Sequence, residues 1–251
     1  MSETFSHLLD AYTQSAEMYD ILSEKHWQSR RASVLNGLQT TCPDAKTILD
    51  IGSGTGMALD VVLEAFPGAQ VHAIEPSASM RIGLMTRILA DTRLRRQVTV
   101  HPCDIAQATL PADIDIALVC GCVGFFEVPV RKALWSQLAS LLTPNGAVLV
   151  DVMPIAEPQQ VSEFRAASVD VGEHRYDIWL SGQKIEDEPE IMRWHIRFEQ
   201  HDGEVKIRSF SVERDWRTFS LDILIDEAAD AGFKALLLPD SPVPAALFRL
   251  C

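Results

Sequence analysis

The sequence predicts an α/β fold: a doubly wound, seven-stranded, mostly parallel sheet with an N-terminal helical cap and an antiparallel β-sheet inserted between strand 5 and the last core helix. Three observations predict it. At residues 47–56 a short apolar run with β-branched members passes into a glycine loop, and the apolar period then changes from two to between three and four. From there to about residue 152 strand-like runs alternate with helical stripes, the pattern of stacked βαβ units. Between residues 155 and 218 that alternation gives way to period two, and a helix and two strands follow it. The boundaries predicted are a cap over 1–44, a core over 45–154, an inserted sheet over 155–218 and completion of the core over 219–251.

The cap reads as two helices. Phe5, Leu8, Leu9, Tyr12, Tyr19 and Leu22 form one stripe that breaks near Ser23, and Trp27, Val34, Leu35 and Leu38 form a second before Cys42-Pro43. The first strand, 47–51, leads through Gly52, Gly54 and Gly56 into a helix carrying Leu59, Val62, Leu63 and Phe66. Strand 69–74 ends in Glu75, and Ser77 caps a helix with Met80, Leu84, Met85, Ile88 and Leu89 inward. Strands at 97–101 and 115–119 follow. A helix starting near Pro129 turns Val130, Leu134, Leu138, Leu141 and Leu142 inward, and Thr143-Pro144-Asn145-Gly146 stops it before strand 147–152. Ser220 caps the last helix, with Leu221, Leu224, Ile225, Ala228 and Ala229 inward, and strands 233–238 and 245–250 close the sheet.

In the insertion Met192, Trp194, Ile196 and Phe198 share one strand face, while Arg193, His195 and Arg197 share the other. A hairpin centred on Asp202-Gly203 would pair Phe198 with Ile207, His195 with Phe210, Arg193 with Val212 and Arg197 with Arg208. The last pair is like-charged, and the apolar parity switches between Ile207 and Phe210, which predicts a bulge there.

Composition narrows the partners. The formal net charge of −13 and the lack of a basic cluster beyond Arg93-Leu94-Arg95-Arg96 argue against a nucleic-acid substrate. Five cysteines without C-x-x-C spacing, no signal peptide and no apolar run of 18 residues predict a cytosolic chain with reduced thiols, no membrane partner and no metal. Cys120-Gly121-Cys122 reads as small residues at a strand end.

The glycines permit close backbone approach at a helix N-terminus, where unpaired N–H groups point. Glu75 lies about twenty residues further on, at a strand end where an acceptor-only carboxylate can take both hydroxyls of a ribose. The spacing is Gly52-x-Gly54-x-Gly56 rather than G-x-G-x-x-G, which disfavours a nicotinamide dinucleotide. Ligands of such sheets lie beyond the carboxyl ends of the strands, so the segment holding Phe125 and Phe126 is predicted to face the acceptor, with Tyr12 and Tyr19 sharing one helix face.

With Asp50 before it, the loop resembles motif I of the class I S-adenosylmethionine-dependent methyltransferases. Ala16-x-x-Tyr19-Asp20 resembles the A-x-x-Y-D of small-molecule members, Leu142-Thr143-Pro144-Asn145-Gly146 resembles their L-x-P-G-G turn, and the inserted sheet is similar in architecture to that of aminosugar N-methyltransferases. The resemblance implies S-adenosylmethionine as cofactor, held by Tyr19, Asp50, Gly52, Ser53, Gly54, Gly56, Glu75, Pro76, Met80, Asp104, Ile105 and Cys120. In that family the acid at the position of Asp104 bonds the adenine amino group and the next apolar residue, here Ile105, packs on the ring. Tyr12, Phe125, Phe126, Arg193 and Arg197 are the expected contacts to a small-molecule acceptor with an N or O nucleophile, and Tyr19 and His195 the expected catalytic groups. The inserted sheet is expected to roof the acceptor or join two copies in a homodimer. Two alternatives stand beside methyl transfer: another cofactor-assisted reaction such as a rearrangement or cyclisation, and a non-catalytic binding subunit.

Overall fold

The computed structural model describes residues 10–251; Phe5, Leu8 and Leu9 of the first stripe lie outside the described residues. The main sheet has the order β10-β11-β5-β4-β1-β2-β3, and β11 runs antiparallel to both its neighbours. Its strands are β1 (Thr47–Ile51), β2 (Gln70–Ile74), β3 (Val98–His101), β4 (Ile114–Val119), β5 (Leu142–Asp151), β10 (Phe233–Leu237) and β11 (Ala245–Leu250). The helices are α1 (Tyr19–Thr41), α2 (Met57–Ala65), α3 (Ala78–Ala90), α4 (Leu94–Gln97), α5 (Val128–Leu141) and α6 (Leu221–Asp230). β1 is buried on both faces, which is why it reads as an unbroken apolar run. Ile48 joins the core under α1 and α2, while Leu49 joins the opposite core under α5 and α6. No helix among the described residues is long and apolar enough to cross a membrane.

Several expectations need correction. The break near Ser23 is absent: α1 is one helix of 23 residues. A serine costs a helix only a few tenths of a kcal/mol, roughly, which the packing of Val34 and Leu38 further along the same helix outweighs. Gln97 ends α4 rather than opening β3, because its side-chain amide donates to the carbonyls of Pro67 and Ala69 at 2.9 and 2.7 Å. Met85, Leu89 and Val130 face solvent. Beside Val130 it is Arg131 that turns inward, to a bidentate pair with buried Glu227 at 2.8 and 2.6 Å. β5 runs extended through Thr143-Pro144-Asn145-Gly146, so this segment opens the strand as well as ending the helix, and Asn145 has no positive φ. Gly146 is required instead by close packing, since a Cβ there would stand 3.0 Å from the Ile114 carbonyl oxygen.

The second sheet, β6-β7-β8-β9, is an antiparallel meander of β6 (Val161–Val171), β7 (His174–Ile185), β8 (Glu188–Asp202) and β9 (Val205–Arg217). Its register differs from the expected one by three residues. Asp202 pairs with Val205, so Gly203-Glu204 form the turn, and Ile207 is left unpaired between Lys206 and Arg208. Phe198 therefore meets Phe210, His195 meets Glu213, Arg193 meets Asp215 and Arg197 meets Ser211. The bulge at Ile207 restores parity: it puts Phe210 and Val212 on the face of Phe198, where the two phenyl rings stack at 4.9 Å. That apolar face packs on Met18, Ile21 and Leu22 at the start of α1, which turns it toward the main sheet.

Candidate active site

The glycine loop sits at the topological switch between β4 and β2, where β1 has a parallel neighbour on each side. The Gly52 and Ser53 N–H groups donate to the Ile74 carbonyl at 2.9 and 3.0 Å, fastening the loop to the end of β2. All three glycines have positive φ, but for different ends. A Cβ on Gly52 would collide with Cys122 at 2.9 Å and one on Gly56 with Leu84 at 2.7 Å, so these two serve packing. A Cβ on Gly54 would meet only the Tyr19 ring, 3.9 to 4.0 Å away, so Gly54 keeps a slot open under that ring.

Asp20 explains why Tyr19 stands there. Its carboxylate accepts from the Thr55 hydroxyl at the start of α2 and from the Arg87 guanidinium of α3, at 3.0 Å, which clamps α1 over the loop. Tyr12 meets Tyr19 edge to face with centroids 5.8 Å apart. Glu75 is buried; one carboxylate oxygen accepts from Gly54 N–H at 2.8 Å and the other from Ser77 N–H at 2.7 Å. Burial raises its pKa, against the lowering pull of those two N–H groups.

Two cavities meet beyond the strand ends. The first, about 270 Å³, brings together Tyr12, Tyr19, Gly52, Gly54, Glu75, Pro76, Met80, Asp104, Ile105, Phe125 and Phe126. The second, about 530 Å³, lies between α1 and the apolar face of the inserted sheet, whose Leu180, Trp194, Ile196 and Phe198 roof it. Tyr12, Tyr19, Gly121, Phe125 and Arg214 line both, so they form the passage between the two.

Asp50, Ser53, Gly56 and Cys120 do not line the cavities. The Ser53 hydroxyl donates to the Asp50 carbonyl at 2.8 Å, holding the turn from inside, and Gly56 is the left-handed N-cap of α2. Cys120 packs toward the α1 side of the core, with burial pushing its thiol up to about 11, while Gly121 and Cys122 reach the cavity. Asp50 lies behind the loop, and burial pushes its carboxyl up to about 7. Asp50 Oδ2 and Arg30 Nε are buried without a hydrogen-bond partner among the described residues, and each feels the other's charge.

His195, Arg193 and Arg197 stand on the opposite face of the inserted sheet, which corrects the expectation that they meet an acceptor. His195 Nδ1 lies 3.2 Å from Glu213, Arg193 holds Asp215 at 2.7 and 2.8 Å, and Arg197 holds Glu163 at 3.0 and 2.8 Å and also Glu199. The physical reason is burial: the sheet turns its apolar face to the crevice and pairs its ions with one another on the far side. His195→Ala should accordingly change turnover by less than about twofold and stability by no more than about 1 kcal/mol. Initial rates and a denaturant titration check both.

Asp177, Glu199 and His201 on that outer face are close enough to share a cation. The two carboxylates already face Arg165, Arg175, Arg197 and Lys206, which supply the charge a metal would bring.

Sequence reasoning missed Arg214, Trp216 and His26. The first two continue the alternation of Phe210 and Val212 along β9, a signal that the wrong register hid. Trp216 packs on Phe125 at 4.5 Å and leaves no space for a side chain at Gly124. His26 stands seven residues after Tyr19, on the same face of α1, a relation that the expected helix break concealed.

The crevice can hold a nucleoside with vicinal hydroxyls, and comparison with known proteins identifies the group. A model described as "Methyltransferase domain" matches residues 49–148. The chain is 24% identical to the dTDP-4-amino-2,3,4,6-tetradeoxy-D-glucose N,N-dimethyltransferase of Saccharopolyspora spinosa, over 99% of this chain and 97% of that protein. Among solved structures, Streptomyces venezuelae DesVI superposes with a TM-score of 0.75 at 20% identity, covering 94% of this chain and 98% of that one. S-adenosylmethionine-bound CalS10, an amino pentose methyltransferase from Micromonospora echinaspora, superposes with 0.73 at 19% identity, covering 92% and 94%. At those identities the superpositions speak to the fold alone. The matched domain, the full-length likeness to a methyltransferase and the motifs around Gly54 make the chain an S-adenosylmethionine-dependent methyltransferase that acts on a small molecule, and the superpositions give its fold.

Proposed function

We propose that the methyl group goes to an amine nitrogen. The observation that carries this reading is the charge around the second cavity: no carboxylate lines it among the described residues, and its one guanidinium is Arg214. An amine attacks through its lone pair, so it must arrive unprotonated. A carboxylate at the site would stabilise the ammonium form; an apolar wall and a fixed positive charge disfavour it. His26 adds no charge, because burial, with help from the Arg30 guanidinium, pushes its imidazole down to about 4. The relative from Saccharopolyspora spinosa, named for an amino sugar, supports the same nucleophile.

S-adenosylmethionine supplies an electrophilic methyl group on a sulfonium whose leaving thioether needs no proton. The chain's own part is orientation and exclusion of water. Glu75 is assigned to the ribose hydroxyls, Asp104 to the adenine edge, and Ile105, Met80 and Pro76 to the walls around the base. Gly54 lets the cofactor lie against the backbone. Tyr19, Tyr12, Phe125 and Phe126 surround the passage where donor and acceptor meet, and Tyr19 there both orients the acceptor and shields the cofactor.

No residue at the passage is assigned as a base, so the acceptor's proton leaves to water before binding. kcat/KM should rise tenfold per pH unit until the acceptor amine's own pKa and then level, with kcat flat. Mass spectrometry with isotope-labelled cofactor reads the methylated position. A methyl found on oxygen, or a pH profile independent of the amine, would sink the reading.

The division of labour follows: residues 45–154 and 219–251 hold the donor, the 1–44 cap closes it, and 155–218 cover the acceptor. The five cysteines are free thiols, consistent with a reducing cytosol as the compartment. We assign a homodimer contact to the inserted sheet, at the end where Val171, Val205 and Ile207 are exposed together beside the two hairpin turns. Light scattering should then read twice the 27.8 kDa of one chain, and a monomer mass at micromolar concentration would dismiss it.

A further inference from the structure

We propose, resting on the N-methylation reading, that the acceptor is a phosphate-free amine on a neutral, largely apolar scaffold rather than a nucleotide-linked amino sugar. The inference names the form in which the amine arrives. It would place methylation after the amine-bearing unit has been joined to an apolar body, or on an amine that was never nucleotide-activated.

Charge is the first ground. A diphosphate carries about two negative charges and is held by paired arginines, lysines or a helix N-terminus. Arg214 is the one lysine or arginine lining either cavity among the described residues, and residues 1–9 contain neither type. Three of its five N–H donors are already engaged: Nη2 donates to the Ala11 carbonyl and to the Ser15 hydroxyl at 3.2 Å, and Nη1 donates to the Glu213 carbonyl at 3.1 Å. Its plane also lies over the Tyr12 ring, 4.6 Å from the centroid.

The nearby cations are likewise matched. Arg208 holds Glu17 at 3.0 and 2.8 Å, Arg165 faces Asp177, and Arg193 and Arg197 are tied to acids across the sheet. The N-terminus of α3, whose Met80 lines the donor cavity, is filled by a carboxylate of the chain itself. Asp10 accepts there from Ser79 N–H at 2.7 Å and from the Ser77 hydroxyl at 2.9 and 2.8 Å. Where an anion would bind, an anion already stands. The chain as a whole carries −13, which repels a dianion further.

The walls are the second ground. Phe164, Leu180, Trp194, Ile196 and Trp216 face the space, and most of its polar groups lie at the passage. Bringing a nucleoside diphosphate against such walls would strip its water without replacing it, whereas a ring scaffold gains from the same burial. The Trp194 indole N–H is buried without a partner among the described residues. It asks for one oxygen acceptor, an ether, hydroxyl or carbonyl, on the bound molecule.

The test compares one amino sugar in two forms on the full chain with saturating cofactor: linked to dTDP, and as a neutral phenyl glycoside. Initial rates by mass spectrometry should give the glycoside at least about a tenfold higher kcat/KM, and free dTDP should not compete with it. Preference for the nucleotide-linked form, or competition by dTDP, overturns this inference and leaves N-methylation standing. Failure of both amines while calorimetry shows cofactor bound overturns the N-methylation reading and this inference with it.

Discussion

Gly54→Val should bind S-adenosylmethionine about 100-fold more weakly than the wild-type chain, a loss of about 2.7 kcal/mol. Two effects add. At φ +57° a β-branched residue is strained by about 1–3 kcal/mol, and the loop can relieve this only by turning its N–H away from Glu75. The γ-carbons would also fill the slot that separates the loop from the Tyr19 ring, 3.9 to 4.0 Å from the position of a Cβ. Strain alone is separated by a control: Gly172→Val, at φ +62° in the β6–β7 hairpin with no atom near its Cβ, carries the backbone cost far from the crevice. Both variants should melt a few degrees lower, roughly 2–4 °C per kcal/mol for a chain of this size, but only Gly54→Val should lose the calorimetric signal of the cofactor. Equal affinity in the two would remove the loop from the donor site.

What the sequence revealed and what it hid divide along a physical line. The loop, Glu75 and the cavity-facing Asp104 were legible because each is fixed by local chemistry: a left-handed turn, a strand-end acid, a short connection. Asp20 shows the limit of this. Its place after Tyr19 is plain in the sequence, but its partners Thr55 and Arg87 are 35 and 67 residues away, so its work as a clamp is seen only when α1, α2 and α3 are assembled. The inserted sheet shows the same limit in reverse. Which residues of β8 share a face was legible from alternation, but which face meets the crevice was not, since that depends on Met18 and Leu22 of another element. His195, Arg193 and Arg197 stand out in the sequence because they are polar; the structure turns the apolar side inward, and the cavity under the inserted sheet is lined by Trp194, Trp216, Leu180 and Ile196 instead. The register slipped because neither the Gly203-Glu204 turn nor the bulge at Ile207 is dictated locally; stacking of Phe198 on Phe210 selects them.

Asp151→Ala should destabilise the protein by roughly 3–5 kcal/mol, because it leaves a charge behind in the core. Arg30 of α1 and Asp151 at the end of β5 are 2% and 6% exposed and form an ion pair, and the guanidinium also lies 3.7 Å over the Trp27 ring. Without Asp151 the guanidinium keeps its desolvation and loses its counter-charge. A melting point lower by about 10 °C is the expected reading. The double variant Arg30→Met with Asp151→Leu buries no charge and should recover most of the loss, so a double-mutant cycle isolates the pair. Recovery will be incomplete, since Gly121 N–H donates to Asp151 at 2.7 Å and would lose its acceptor, a further cost of about 1–3 kcal/mol. Gly121 lines both cavities, so this bond ties the stability of the cap to the shape of the passage between donor and acceptor. Saturating S-adenosylmethionine should therefore raise the melting point of Asp151→Ala less than that of the wild type, because a looser passage binds it less tightly. A single variant within about 1 kcal/mol of wild type would mean that the guanidinium finds another acid or reaches water, and that the cap is not anchored through this pair.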